Sequence, residues 1–432
     1  MRPRPPIPGG PYLVIGLARS GQAAARLLSA RGEEVLGADA GAPPGADALA
    51  GALAELRLRD DGVELLGRAR CVVKSPGVPR QAPAVAAALA AGLPVIGELE
   101  LAWRLLPNRF CAVTGTNGKT TVCELIGHVL REAGEPVAVA GNVGTPLASL
   151  AGAVEPSATI VCECSSFQLE DAEAFAPECG VLLNLSPDHI DRHGSMRAYV
   201  EAKLRLFRNQ APGDVAILDL SDPALRGHRV GGAARRVDLG APPAEVAELA
   251  RAIRLPGPHN AANARAAAAA CLELGVGAAA IRAGFASFRG VPHRLELVRE
   301  RDGVRFVNDS KATNVAAAAA ALRSFDAPVH AILGGSLKGR GFEALAEPVR
   351  ERCAACYLIG EAAERLARDL APAAAGGVAI ARCRDLADAV ARAAAAARPG
   401  DVVLLAPACA SYDAYRDFEE RGEDFRALVE SL

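Results

Sequence analysis

Phe110-Cys-Ala-Val113 runs into Thr114-Gly115-Thr116-Asn117-Gly118-Lys119-Thr120-Thr121, and this stretch decides the fold. The first four residues are apolar and read as a buried strand. Gly115 to Thr121 form a glycine-rich loop, and a helix is predicted from about Thr120. Glycines let backbone N–H groups curl around phosphates, and the N-terminus of the following helix adds a favourable dipole. In that arrangement Lys119 reaches the outer phosphates and the Thr120 hydroxyl joins Mg2+. A P-loop carries a further glycine where this chain has Val113, so the loop is a shortened variant. Strand, phosphate loop and helix in succession build an α/β fold on a mostly parallel sheet.

Working outward, residues 12–16, 34–37 and 71–73 read as buried strands, with a helix over 22–30 and a turn at Ser75-Pro76-Gly77. After the loop, strands are predicted at 159–162, 181–184 and 215–218, and an alanine helix over 260–274. A third series has strands at 305–307, 329–333, 356–359 and 402–405. The 432 residues exceed what one core organises. The expected division is a Rossmann-like unit at 1–98, a central P-loop unit at 99–290 and a second Rossmann-like unit at 291–432. Residues 365–398, rich in Ala and Arg, read as helix.

Apolar residues make up 51% of the chain, charged residues 23%, and the net charge is −2. That balance excludes a nucleic-acid or anionic-membrane binder and points to small molecules. The start, MRPRPPIPGG, has no apolar signal core, and each alanine run breaks before a membrane-spanning length. No membrane insertion and a cytoplasmic location are expected. The eleven cysteines sit mostly in apolar runs, as reduced core thiols do. Cys353 and Cys356 form a lone C-x-x-C.

Five lysines stand against forty-three arginines. Four of them, Lys119, Lys203, Lys311 and Lys338, lie in short polar strings. A lysine amine is compact and can lose its proton when buried, which a guanidinium cannot. Glu163 ends the strand 159–162 and can hold Mg2+, since hard cations prefer oxygen ligands. The string Asp188-His189-Ile-Asp191-Arg192-His193 crowds two histidines and two aspartates, and Lys203 follows on a helical stretch. Burial and nearby cations push such an amine toward its neutral form. A neutral amine can take up CO2 and become a carbamate, a metal ligand. Asn260 leads into the alanine helix, where an amide either caps the helix or meets a purine edge. In the third series, three strand ends carry Lys311, Lys338 and Ser411. Convergent polar strand ends in an open α/β sheet describe a pocket for an anionic small molecule. Near the start, Gly16-Leu-Ala-Arg-Ser20-Gly21 opens a helix and Asp39 follows a strand later, a weak nucleotide signal without the dinucleotide glycine fingerprint.

Taken in order, GTNGKTT, GNVG (141–144), the Glu163 string, NLSPDHIDRH, YVEAK, PHNAAN, HRLE and NDSKATN resemble the Mur ligase family over nearly the whole chain. CSSFQLE and PACASYDAYRDFEERGEDF look like the branch that adds D-glutamate to UDP-N-acetylmuramoyl-L-alanine. A serine is expected where Ala406 stands. The resemblance implies three domains, holding in turn the UDP-sugar, ATP and the incoming amino acid, in a monomer. It implies ATP and two Mg2+ ions. Lys119, Thr120 and Glu163 would hold ATP and the first ion, and His189 with a carbamylated Lys203 the second. Asn142 would contact substrate or metal, and Asn260 adenine. Arg294, Asp309 and Lys311 would reach the nucleotide. Thr313, Lys338, Ser411 and Phe418 would frame D-glutamate, and Ser20, Asp39 and Ser75 the uridine diphosphate. A family member adding a diamino acid would carry Asp-Asn-Pro-Arg, which this chain lacks. A folate polyglutamylating ligase would lack the UDP-binding domain.

Overall fold

A computed structural model describes residues 3–255, 258–337 and 341–432. They hold three sheets. The first contains β1 (Tyr12–Ile15), β2 (Val35–Asp39), β3 (Glu55–Leu58), β4 (Cys71–Lys74) and β5 (Val95–Gly97), in the order β3-β2-β1-β4-β5. The second contains β6 (Arg109–Thr114), β7 (Val137–Gly141), β8 (Thr159–Glu163), β9 (Cys179–Leu182), β10 (Val215–Leu218) and β11 (Arg235–Asp238), in the order β11-β10-β9-β6-β8-β7. Every pairing in both is parallel. The third contains β12 (Glu296–Arg301), β13 (Val304–Asn308), β14 (Val329–Gly334), β15 (Cys353–Ile359), β16 (Ala379–Arg382) and β17 (Val402–Leu405), in the order β12-β13-β17-β14-β15-β16. Only β12 runs antiparallel there. The α/β class with mostly parallel sheets therefore holds.

Interior strands β1, β4, β9, β10 and β17 are buried at every residue. Continuous apolar runs suit a sheet covered on both faces. The six strands that the apolar runs do not reveal, β3, β5, β7, β11, β12 and β16, are the six sheet edges. One of them corrects the helical expectation for 365–398. Helices Ala363–Asp369 and Ala371–Ala375 do form, but β16 follows before helix Leu386–Ala396. Gly377, at φ +98°, lies between the second helix and the strand, and the open edge of β15 supplies the ladder that outweighs alanine's helix preference. The expected strand over 181–184 stops at Leu182, where Asn184 turns toward the phosphate loop.

Contacts divide the chain into Met1–Phe288 and Arg289–Leu432. In the first unit one core joins sheets one and two: Tyr12, Val14 and Leu101 share it with Phe110, Ile160 and Phe175. Glu100, fully buried, fixes that junction by accepting from the backbone N–H groups of Glu173, Ala174 and Phe175 and from Arg104. In the second unit sheet three carries one apolar cluster on each face. No described helix is long and apolar enough to cross a membrane. All cysteines are free, Cys353 and Cys356 included, and only Cys383 is not fully buried.

Candidate active site

The phosphate loop sits where the register of β6 against β8 and β9 places it. Gly115 (φ +151°) and Gly118 (φ +86°) adopt backbone that side chains resist. A Cβ at Gly118 would lie 2.4 Å from Asn263 Oδ1, so the alanine helix Pro258–Glu273 closes on the loop. Asn117 N donates to Asn184 Oδ1 (2.9 Å), and Asn184 Nδ2 returns a bond to the Asn117 carbonyl (3.0 Å). The Thr116 hydroxyl pairs with Tyr199 OH at 2.9 Å and accepts from Ser186 N. Lys119 Nζ folds back to the carbonyls of Gly115 and Thr116, both at 2.9 Å.

Val113 pairs with Glu163, and Gly141 pairs with Glu163 from the other side. The Thr120 hydroxyl donates to Glu163 Oε2 at 2.8 Å, and Asn142 Nδ2 donates to Oε1 at 3.0 Å. A Cβ at Gly141 would stand 2.3 Å from the Glu163 carbonyl, so only glycine lets these chains approach. A cleft of about 150 Å3 opens here, lined by Thr120, Glu163, Cys123 and Thr145 among others. Thr120 and Glu163 are hard oxygen donors at a phosphate loop, a set that suits Mg2+.

Lys203 lies on helix Met196–Arg208 and is 2% exposed. Its amine donates to the Gly115 carbonyl at 2.8 Å and stands 4.7 Å from the Tyr199 ring centre. Burial, reinforced by the charge of Lys119, pulls its pKa down to about 7. Burial thus favours the neutral amine over the ammonium here. His189 adopts the left-handed region (φ +52°), keeps its ring half exposed and rests on Phe167 at 4.7 Å. His193 contacts the same Phe167 ring and the Ser166 hydroxyl. Phe167 was no sequence candidate; its place in CSSFQLE is the signal that could have found it.

The ends of β1, β2 and β4 hold the remaining first-unit candidates. Asp39 accepts from Leu17 N (2.6 Å) and Gly41 N (2.7 Å). The Ser75 hydroxyl donates to the Gly16 carbonyl at 2.7 Å. Ser20 stands in the first turn of helix Arg19–Ala30. Lys74, the fifth lysine, is fully buried and ion-paired with Asp171 at 2.6 Å. Asn260 lies in the first turn of the alanine helix.

In the second unit, β13, β17 and β14 are sheet neighbours, so their ends adjoin. Asp309 accepts from Leu295 N, and burial raises its carboxyl to about 6. Lys311 Nζ stands 5.7 Å from the Phe418 ring centre. Thr313 follows on the same loop, Arg294 is half-buried beside His293, and Ser411 is 2% exposed after β17. Lys338 lies outside the described residues. Ala406 packs its methyl group into an apolar cluster. In this unit, Arg421, 1% exposed, is a residue that sequence did not disclose. Its guanidinium donates to Ser310 Oγ and to the carbonyls of Ser310, Cys409, Ala410 and Gly334. It thus ties the three strand ends together, with no carboxylate in ion-pair range among the described residues.

A phosphate loop with an opposed carboxylate and a buried amine suits an α/β protein that binds a nucleotide phosphate. Family models agree: residues 11–97 match the Mur ligase MurD-like N-terminal domain, 113–241 the Mur ligase middle domain and 293–409 the Mur ligase glutamate ligase domain. The chain belongs to the Mur ligase family. It is 42% identical to the UDP-N-acetylmuramoylalanine--D-glutamate ligase of Pelotomaculum thermopropionicum, covering 97% of both chains. It is 44% identical to the ligase of the same name from Sphingopyxis alaskensis, covering 98% of both. Among solved structures, the UDP-N-acetylmuramate-alanine ligase of Thermotoga maritima matches at TM-score 0.56 and 17% identity, over 98% of this chain and 99% of that one. A MurF ligase from Thermotoga maritima, solved with ADP, matches at 0.51 and 18%, over 86% and 92%. At these identities the structures speak for the fold alone.

Proposed function

We propose that this chain is an ATP-dependent amide ligase that adds D-glutamate to UDP-N-acetylmuramoyl-L-alanine in peptidoglycan precursor synthesis. The observation that carries the proposal is full-length identity above 40% to ligases of that name. The convergence of the phosphate loop, Glu163 and Lys203 supports it. In the reaction, the L-alanyl carboxylate attacks the γ-phosphorus of ATP, the bond to the bridging oxygen breaks and ADP leaves. The D-glutamate amine then attacks the acyl phosphate carbon, phosphate departs and the amine gives up a proton. Phosphoryl transfer of this kind depends on positioning and charge stabilisation.

The residue roles follow the resemblance. Lys119 and the backbone of Gly115, Thr116, Asn117, Gly118 and Thr121 cradle the phosphates, and Thr120 and Glu163 hold one Mg2+. His189 and a CO2-capped Lys203 hold the second, with Asn142 beside metal or substrate. Bound there, magnesium neutralises phosphate charge. A pKa near 7 supports the Lys203 assignment, because uptake of CO2 needs a neutral amine. Asn260 serves adenine, Arg294, Asp309 and Lys311 the nucleotide. Thr313, Lys338, Ser411 and Phe418 serve D-glutamate, and Ser20, Asp39 and Ser75 the uridine diphosphate. We assign these functions to domains at 1–98, 99–290 and 291–432 of a monomer in the cytoplasm. The test is phosphate release with UDP-N-acetylmuramoyl-L-alanine and ATP, each amino acid offered in turn. Release should require D-glutamate; equal release with L-glutamate or a diamino acid would overturn the proposal.

A further inference from the structure

Residues 163–171 touch three places at once. Glu163 meets Thr120 and Asn142. Phe167 lies against His189 and His193, at 4.7 and 5.6 Å between ring centres. Asp171 is the buried partner of Lys74, the last residue of β4, and of Arg80, on the chain that follows it. Arg192 closes the circuit. Its guanidinium carbon stands 4.1 Å from the Phe167 ring centre, and Nη2 is 3.6 Å from Glu170. It donates to the Gly77 carbonyl at 3.3 Å and the Val78 carbonyl at 3.2 Å. The Val78 carbonyl also accepts from Lys74 at 2.8 Å. The Arg192 side chain is only 15% exposed.

A guanidinium stacks on a ring and forks two donors at the same time, which an ammonium cannot do. The segment it anchors has little structure of its own. Helix Ile190–His193 is four residues long, with His189 before it and Gly194 after it both at positive φ. One turn of helix does not stand unaided, so its order depends on side-chain contacts.

We propose that Arg192 is a positioning residue that ties the 75–78 turn to the 189–193 loop, so that filling the sugar-nucleotide side orders the loop carrying His189. The inference rests on the assignment of Ser75 to the uridine diphosphate end. Linkage makes the coupling reciprocal: whatever fixes the His189 loop also tightens the sugar nucleotide.

Amide hydrogen exchange on the full-length chain tests this without turnover, using UDP-N-acetylmuramoyl-L-alanine alone with neither ATP, magnesium nor glutamate. In the unsubstituted protein, exchange should slow in peptides spanning 75–79 and 188–194, by roughly fivefold or more in each. In Arg192→Met and Arg192→Lys only 75–79 should slow. The lysine variant keeps the charge, so its loss of coupling separates the forked contact from charge alone. Protection confined to 75–79 in the unsubstituted protein overturns the inference, as does coupled protection that survives in both variants. Should the sugar nucleotide protect neither segment, the assignment of Ser75 fails first and takes the coupling with it. The unsubstituted arm decides even if a variant folds poorly.

Discussion

Thr120 and Glu163 are joined by a 2.8 Å hydrogen bond although 43 residues separate them. The parallel register of β6 with β8 sets that distance, with Val113 opposite Glu163. Two oxygens held against each other at the mouth of a phosphate loop can turn toward one cation with little rearrangement. Glu163→Gln keeps the shape and an acceptor for Thr120 but removes the charge. We expect turnover to fall on the order of 10²–10³-fold, the loss seen when a preorganised electrostatic group is deleted. Thermal stability should change little. Phosphate release and ATP affinity, each with and without Mg2+, check this: the magnesium-dependent part of ATP binding should disappear.

Lys203 carries a sign-determined pH dependence. Its ammonium is pulled from an ordinary 10.5 to about 7 by burial. Below pH 7 the folded chain bears the full penalty of a buried charge. Between about 7 and 10.5 the unfolded chain binds more protons, so stability rises with pH. Lys203→Met removes the penalty. In CO2-free buffer it should be more stable than the parent by on the order of a few kcal/mol at pH 6. The advantage should shrink as pH rises through that window. Denaturant melts at several pH values measure it. The same variant should be inactive, and the parent should lose activity on CO2 removal and regain it with bicarbonate. A ¹³C-bicarbonate label appearing as a carbamate signal in the parent alone would tie the two results together.

The Lys74–Asp171 pair is 0% and 1% exposed. Burial pulls the lysine ammonium below its ordinary value even with the carboxylate beside it. Breaking such a pair strands a charge and costs about 3–5 kcal/mol, whereas replacing both partners by apolar residues is often neutral. Asp171→Ala and Lys74→Ala should each lower the melting temperature by several degrees. Lys74→Met combined with Asp171→Leu should recover most of the loss. Thermal unfolding of the three variants decides it.

The legibility of this fold follows burial. Strands covered on both faces appear as unbroken apolar runs, such as Leu13-Val14-Ile15 and Val402-Val403-Leu404. Edge strands such as Ala379–Arg382, half-exposed and with Ile380 as the one large apolar residue, carry no such mark. Candidate residues that bring their own chemistry, such as Glu163 and Lys203, stand out in the sequence as short polar strings. Phe167, Arg192 and Arg421 do not. Their significance lies in which distant carbonyls and rings they meet, and only the folded chain brings those partners together.

Arg421 yields the last prediction. All of its donors go to Ser310, Gly334, Cys409 and Ala410, and burial pulls its pKa down to about 10. The cation therefore stays charged at neutral pH, in the same buried region as the loops that carry Lys311 and Ser411. Arg421→Met removes a donor from four carbonyls, of which Ala410 keeps the Ser336 N–H, at a cost of about 1–3 kcal/mol for a buried group left unpaired. Arg421→Lys keeps the charge but reaches fewer of these acceptors. If the guanidinium serves the D-glutamate pocket by fixing its loops, both variants should raise KM for D-glutamate while leaving KM for ATP near the parent value. Acyl-phosphate formation without D-glutamate, read as ADP release, should persist in both. A uniform loss of all three quantities would instead mean that Arg421 merely holds the second unit together, and the thermal melt of the lysine variant would then fall in step with its activity.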